Sequence, residues 1–392
     1  MMRAVTIVGA SLAGLSAARA LRDKGFEGRL VVVGDEPHAP YDRPPLSKEF
    51  LAGTASEADL ALATPEDESL RADWRLGCRA VALDAAERAV VLEGGERVVS
   101  DAVIVATGAR ARELPGSMPD GVHTLRTFDD ALALRKALVP GARLVVIGAG
   151  FIGSEVASTA AALGVDVEVV EAAAVPLEKP LGTEMGAVCS RLHATRGVRL
   201  RTGAGLAEVT GSPQATGVRL TDGTELPADV VLLGIGAAPQ VEWLAGSGLE
   251  LDDGVVTDAR GATAVPGVFA VGDCARSHRP LIGAATRLEH WTNAVQQPSA
   301  AAAALLGQEH TAPAHHEVPY FWSDQYGHRI QFAGHRGRAV RVEVVEGDLD
   351  SFDFLALYRD RDGDPVAVLA IGRVRSFGRW RRQLAAPRAA RL

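Results

Sequence analysis

A chain of 392 residues exceeds one typical domain, and its 47% hydrophobic content can fill two or three cores. No apolar run reaches the ~18 residues of a membrane-crossing helix. The short apolar start leads straight into a glycine loop rather than a cleavage site, so a cytoplasmic protein off the membrane is expected. A formal net charge of −8 speaks against a nucleic-acid partner, and the scattered Cys78, Cys189 and Cys274 make neither a metal knuckle nor an adjacent redox pair.

Ala4 to Val8 reads as a buried strand. Gly9-Ala10-Ser11-Leu12-Ala13-Gly14 follows and opens a helix from Leu15 to Asp23. Leu30 to Val33 is the next strand, closed by Gly34-Asp35-Glu36. This is a βαβ unit with an acid where a dinucleotide fold holds ribose hydroxyls. Ser11 replaces the second glycine of the motif and is small enough for close approach to a pyrophosphate. The loop Tyr41-Asp42-Arg43-Pro44-Pro45-Leu46-Ser47-Lys48 comes next; its prolines exclude helix interior and central strand. Lys48 is one of four lysines in a chain that otherwise uses arginine, which points to a need for a compact charge.

The pattern repeats farther on. Arg143 to Ile147 is a strand, Gly148-Ala149-Gly150-Phe151-Ile152-Gly153 a full glycine motif, Ser154 to Leu163 a helix, and Val167 to Val170 a strand ending at Glu171. Each half has a later strand with a glycine turn, Ala102 to Gly108 and Asp229 to Gly236. Val218 to Gly223 reads as a hairpin arm, Gly267 to Asp273 as a further strand, and Ala300 to Ala304 as helix. From about residue 311 the texture becomes aromatic, His315 to Phe332, then alternating at Val340–Val345 and Val366–Ile371, and ends in an Arg-rich helix. The expected fold is α/β, with two Rossmann-like dinucleotide-binding domains in a glutathione-reductase-like arrangement and a small C-terminal α+β domain. Residues 1–109 with 237–312 would bind FAD, 110–236 NAD, and 313–392 would form the third domain.

Two dinucleotide motifs in tandem imply two cofactors in contact, a flavin and a nicotinamide, with hydride passing between them. Glu171 on the ribose hydroxyls would repel a 2′-phosphate, so NADH is expected over NADPH. Lys179 is the nearest downstream cation.

These motifs, with Leu125-Arg126-Thr127, Val271-Gly272-Asp273-Cys274-Ala275, Glu289-His290-Trp291-Thr292-Asn293-Ala294 and Phe321-Trp322-Ser323-Asp324-Gln325-Tyr326, run through essentially the whole length. In them the chain resembles the FAD-dependent, oxygenase-coupled ferredoxin reductases, such as the putidaredoxin, rhodocoxin and biphenyl-dioxygenase ferredoxin reductases. They are disulfide-free members of the pyridine nucleotide-disulfide oxidoreductases. The resemblance implies roles position by position. Gly9, Ser11, Leu12, Ala13 and Gly14 would hold the FAD pyrophosphate at a helix N-terminus. Asp35 would take the adenosine ribose and Val81 the adenine side. Arg43, Pro44, Thr107, Gly108, Arg126, Glu289, His290 and Trp291 would lie along the flavin. Gly272 and Asp273 would meet the ribityl chain. Gly148, Gly150, Ile152, Gly153, Glu171, Lys179 and Gly236 would bind NADH. Lys48 and Glu155 would pair beside both rings as the catalytic residues, also touching cofactor, with the lysine charge favouring the reduced flavin. A helix dipole alone also explains a carboxylate at 155.

Relatives that work through thiols carry cysteine where this chain has its proline loop, so electrons are expected to leave the flavin singly. A small [2Fe–2S] ferredoxin serving a cytochrome P450 or Rieske-type oxygenase is the implied acceptor. The basic residues Arg373, Arg375, Arg379, Arg381, Arg382, Arg388 and Arg391, or His335 with Arg336, Arg338 and Arg341, offer docking charge. Gly372-Arg373-Val374 departs from the family's usual Asn-Arg-Pro. Two other readings fit the same motifs: an NADH-dependent reductase of quinone, rubredoxin or monodehydroascorbate, and a binding flavoprotein similar to apoptosis-inducing factor. A monomer or homodimer is compatible with the sequence.

Overall fold

The computed structural model describes residues 2–116, 118–308 and 318–386. The chain forms two compact units. One comprises Met1–Asp42, Ala61–Arg110 and Ala238–Phe321; the other comprises Arg43–Leu60, Ala111–Ala237 and Trp322–Leu392. The proline loop is therefore divided, with Tyr41 and Asp42 in the first unit and Arg43 to Lys48 in the second.

In the first unit a five-stranded sheet runs in the order Val268–Ala270, Ala102–Val105, Ala4–Val8, Arg29–Val33, Ala72–Arg75. All neighbours are parallel. Alternation along each strand sends side chains to opposite faces. Val5, Ile7, Val32 and Ile104 join a core with the helices Leu12–Asp23 and Trp291–Leu305, which pack together through buried alanines such as Ala17 and Ala301. Val8, Val31, Val33, Val103 and Val105 form a second core with Leu83, Val90, Leu92 and Val98 of an antiparallel three-stranded sheet. Because both faces are covered, these strands read as unbroken apolar runs.

The second unit repeats the plan. Its parallel sheet runs Arg199–Thr202, Asp166–Glu171, Arg143–Ile147, Val230–Leu233, Val122–His123. The helix Phe151–Ala162 packs on it. Val145, Ile147, Val170 and Val231 share a core with Val218, Leu220 and Leu226 of the meander Leu206–Thr210, Gly217–Leu220, Glu225–Pro227. Its C-terminal part is a five-stranded sheet, Tyr320–Gln325, His328–Gly334, Pro365–Ile371, Asp353–Arg359, Arg341–Asp348, with the helix Val374–Ala385 against it. Tyr326 (φ 54°) and Gly327 (φ 84°) link its first two strands. Positive φ at both central residues is the pattern of a two-residue hairpin turn that matches strand twist.

Both glycine-motif helices begin three residues earlier than the sequence predicts, at Leu12 and Phe151. Gly14 and Gly153 are helical residues, not loop residues. A Cβ on Gly14 would strike the carbonyl oxygen of Gly9, and one on Gly153 that of Gly148. Missing side chains there let each helix start directly against the end of its strand. The alanine run lies inside Trp291–Leu305, and the two alternating runs became Arg341–Asp348 and Pro365–Ile371. His315, Arg388 and Arg391 lie outside the described residues. Among the described residues no helix is long and apolar enough to cross a membrane.

Candidate functional site

In the first unit, Gly9 closes its strand at φ 120°, and a Cβ there would run into the backbone of Ala106. Only glycine meets both demands. Ser11 is the N-cap of the helix that follows, so the free backbone N–H groups of Leu12, Ala13 and Gly14 lie at its positive end. Gly272, at φ 74°, approaches this turn so closely that a Cβ would sit 2.9 Å from that of Ala13. Its N–H donates to Gln297 Oε1 (2.9 Å), which fixes the start of the Gly272–Cys274 turn carrying Asp273. Asp35 ends its strand half-exposed, 3.8 Å from Arg79. Thr107 Oγ1 donates to Gln240 O (2.6 Å), and Gly108 follows at φ 69°. Glu289 pairs with Arg287. Trp291 Nε1 donates to Asp42 Oδ1 (2.8 Å), holding an indole that is 36% exposed. Val81 is 43% exposed on its strand.

Among the described residues His290 Nδ1 is buried without a hydrogen-bond partner, and burial pushes the imidazole down to about 4. Glycine turns without room for Cβ atoms, a helix N-terminus, exposed apolar Trp291 and Val81 and an unsatisfied buried ring nitrogen fit a dinucleotide with a flat ring system.

The second unit has the same construction. Gly148 turns at φ 102° where a Cβ would meet Gly234 O, and Gly150 caps the helix with nothing within 4 Å of a Cβ placed on it. Backbone here is open to close approach by a ligand. Ile152 and Ile235 flank it as exposed apolar residues, and Gly236 turns at φ 98°. Glu171 is held on both oxygens, by Ala149 N–H (2.9 Å) and Ala173 N–H (2.9 Å), so its charge is fixed against the glycine loop. Lys179 lies on the short helix Glu178–Leu181, whose Lys179 carbonyl accepts from Arg336 Nε (3.0 Å).

Within the same unit Lys48 and Glu155 meet. Lys48 Nζ lies 2.7 Å from Glu155 Oε2, with side chains 13% and 7% exposed. Pro44 and Pro45 open the 3-10 turn Pro44–Ser47, so Lys48 follows directly and its ammonium also donates to Pro44 O (3.1 Å). Ser47 Oγ donates to Glu155 Oε2 (2.6 Å), and Thr159 Oγ1, one turn along the helix, donates to Ser47 O (2.8 Å). Oε1 accepts from Ser323 Oγ (2.6 Å) and Asp324 N–H (3.2 Å) on the C-terminal sheet. Arg43 Nη1 donates to Arg126 O (2.5 Å), tying down the other end of the loop. Glu155 is not in the first helical turn, because the helix starts at Phe151 rather than Ser154. The dipole reading of this carboxylate therefore loses its footing, since that effect fades beyond the first turn.

The family model for pyridine nucleotide-disulphide oxidoreductases matches residues 3–298, and the one for the reductase C-terminal region matches 320–391. The biphenyl dioxygenase system ferredoxin–NAD(+) reductase component of Paraburkholderia xenovorans (strain LB400) is 42% identical, covering 96% of this chain and 92% of that protein. The chain belongs to the ferredoxin–NAD(+) reductases of the pyridine nucleotide-disulphide oxidoreductase family. Putidaredoxin reductase CamA of Pseudomonas putida is 38% identical over 94% of this chain and 88% of its own. The reductase in the crystal structure of the covalent putidaredoxin reductase–putidaredoxin complex superposes with a TM-score of 0.93 at 35% identity, covering 98% of this chain and 93% of that one.

This ferredoxin reductase family member uses more side chains around Glu155 than its sequence announced. Ser47, Thr159 and Ser323 were not among the expected site residues. Thr159 at i+4 from Glu155 was a legible signal; Ser323, 168 residues away, gave none. Cys189 and Cys274 of this family member are buried in packing positions: burial raises the Cys274 thiol and pushes Cys189 up to about 12.

Proposed function

We propose that the chain is an FAD-dependent reductase that accepts hydride from NADH and passes single electrons to a small [2Fe–2S] ferredoxin serving a cytochrome P450 or Rieske-type oxygenase. The observation that carries this reading is the buried Lys48–Glu155 pair on a loop with no cysteine. When bound, FAD and NADH supply the redox chemistry: hydride donation by one, single-electron release by the other. The protein's residues bind, orient and set charge.

The N-terminus of the helix Leu12–Asp23 would hold one pyrophosphate and that of Phe151–Ala162 the other. Asp35 and Asp273 would accept from sugar hydroxyls of FAD, and Glu171 from those of NADH. The Lys48 ammonium, held in place by Glu155, supplies a fixed positive potential in a poorly solvated place. Glu171 cannot turn away from a 2′-phosphate, because both its oxygens are held by backbone N–H groups. Glu171→Ala is expected to raise kcat/KM for NADPH relative to NADH about 10–100-fold; an unaltered ratio would remove Glu171 from cofactor selection. The cytoplasm is the proposed location.

The decisive experiment uses the FAD-loaded protein with NADH and cytochrome c. The flavin band should bleach rapidly and fully, and cytochrome c should be reduced only after a [2Fe–2S] ferredoxin is added. Fast reduction of a quinone with no gain from any ferredoxin would replace this reading with a small-acceptor reductase.

A further inference from the structure

The carboxylate of Glu155 is shared between two parts of the chain. Oε2 faces the proline loop and takes Lys48 and Ser47. Oε1 faces the strand Tyr320–Gln325 and takes the Ser323 hydroxyl and the Asp324 N–H. Ser323 is fully buried. Its oxygen also accepts from Gln325 Nε2 (3.0 Å). A serine hydroxyl has one proton. With Gln325 donating into its lone pair, that proton is directed to Glu155. The chain Gln325→Ser323→Glu155 therefore has one direction and ends on the residue that holds Lys48.

Two further contacts fix the strand to the helix that carries Glu155. Tyr326 N–H donates to Ser158 Oγ (2.7 Å), and Tyr326 OH lies 2.7 Å from His193 Nδ1, whose other ring nitrogen is 3.5 Å from Ser154 Oγ. Ser154, Glu155 and Ser158 thus tie one stretch of helix to the hairpin. Without Ser323, Oε1 keeps only the longer Asp324 contact, and the carboxylate gains rotational freedom about its terminal torsion.

We infer that Ser323, oriented by Gln325, is a positioning residue that holds Glu155, and through it Lys48, so that the C-terminal sheet completes the NADH-side site. This rests on the proposed role of the Lys48–Glu155 pair in flavin reduction by NADH. Ser323 is not assigned a contact with either cofactor.

The test uses FAD-loaded Ser323→Ala labelled with 15N-lysine. The chain has four lysines, Lys24, Lys48, Lys136 and Lys179, so the Lys48 ammonium resonance is identified by its loss in Lys48→Met. Ser323→Ala should shift or broaden that resonance, slow flavin reduction at saturating NADH about 10-fold, the scale of one hydrogen bond to a charged group, and leave FAD content unchanged. Ser323→Cys, close in volume with a weaker donor, takes its place if the alanine variant does not fold and faces the same criteria. An unmoved resonance with wild-type reduction overturns the positioning role, provided Lys48→Met and Glu155→Gln are slow. If those two variants also reduce at the wild-type rate, the role of the pair itself falls, and this inference with it.

Discussion

Among the described residues Glu155 accepts from four donors, and the Lys48 charge is answered by that carboxylate in a buried setting. Removing either partner leaves a poorly solvated charge, a loss of about 3 kcal/mol in stability. Denaturant unfolding of FAD-loaded Lys48→Met and Glu155→Leu should show this, and the double variant should recover part of it. Equal stability of both singles and the wild type would make the pair a surface-like contact. The same single variants should slow reduction by NADH far more than they reduce bound FAD. A sequence reading singles out Lys48 because lysine is scarce in this chain, and pairs it with Glu155 through the family resemblance. It does not reach Ser323, because a serine in a strand looks the same whether its hydroxyl meets a carboxylate or a backbone carbonyl.

Elements position these residues through contacts that tolerate little change. At Gly9 and Gly148 an alanine meets both a positive φ and a carbonyl oxygen. Gly9→Ala should abolish FAD retention, whereas Gly148→Ala should keep FAD and weaken NADH binding at least 10-fold, followed by flavin absorbance and NADH titration. Loss of FAD from Gly148→Ala at the level of Gly9→Ala would show that the two motifs do not serve separate cofactors. The hairpin clasp adds a pH dependence. Burial holds His193 at about 4 against an ordinary 6.5. The unfolded chain then binds the extra proton first as pH falls. The stabilisation is fully present above about pH 6.5 and is lost progressively as pH falls towards 4, reaching at most about 3 kcal/mol. His193→Gln should flatten the melting-temperature profile in that window; an unchanged slope would mean that other groups carry it. Helices, strands and both glycine motifs were readable from apolar runs and turns. The starting points of the two glycine-motif helices were not, since a glycine that permits a helix to touch its strand looks in sequence like one that breaks it.

For the whole molecule, charge is the relevant quantity. The net charge is −8, yet the helix Val374–Ala385 exposes Arg375, Arg379 and Arg382 at i, i+4 and i+7, while Phe377 and Leu384 are buried. Such a basic stripe suits an acidic partner and acts mainly on encounter. Arg375→Glu with Arg382→Glu should raise KM for the proposed ferredoxin several-fold and weaken its salt dependence, with reduction by NADH unaltered. Identical ferredoxin kinetics at low salt would place docking elsewhere.

Several properties were determined by local sequence alone. Two strand–glycine loop–helix–strand–acid units specify two dinucleotide sites, because backbone geometry at a glycine and charge at a helix end are properties of a few consecutive residues. The proline loop holds no cysteine and therefore no thiol relay. Tertiary structure decided what surrounds Glu155. Ser47, Lys48, Ser323 and Asp324 come from segments more than a hundred residues from it along the chain. A hydrogen-bond network of that kind depends on distances of about 3 Å set by packing, and no spacing along a sequence encodes them.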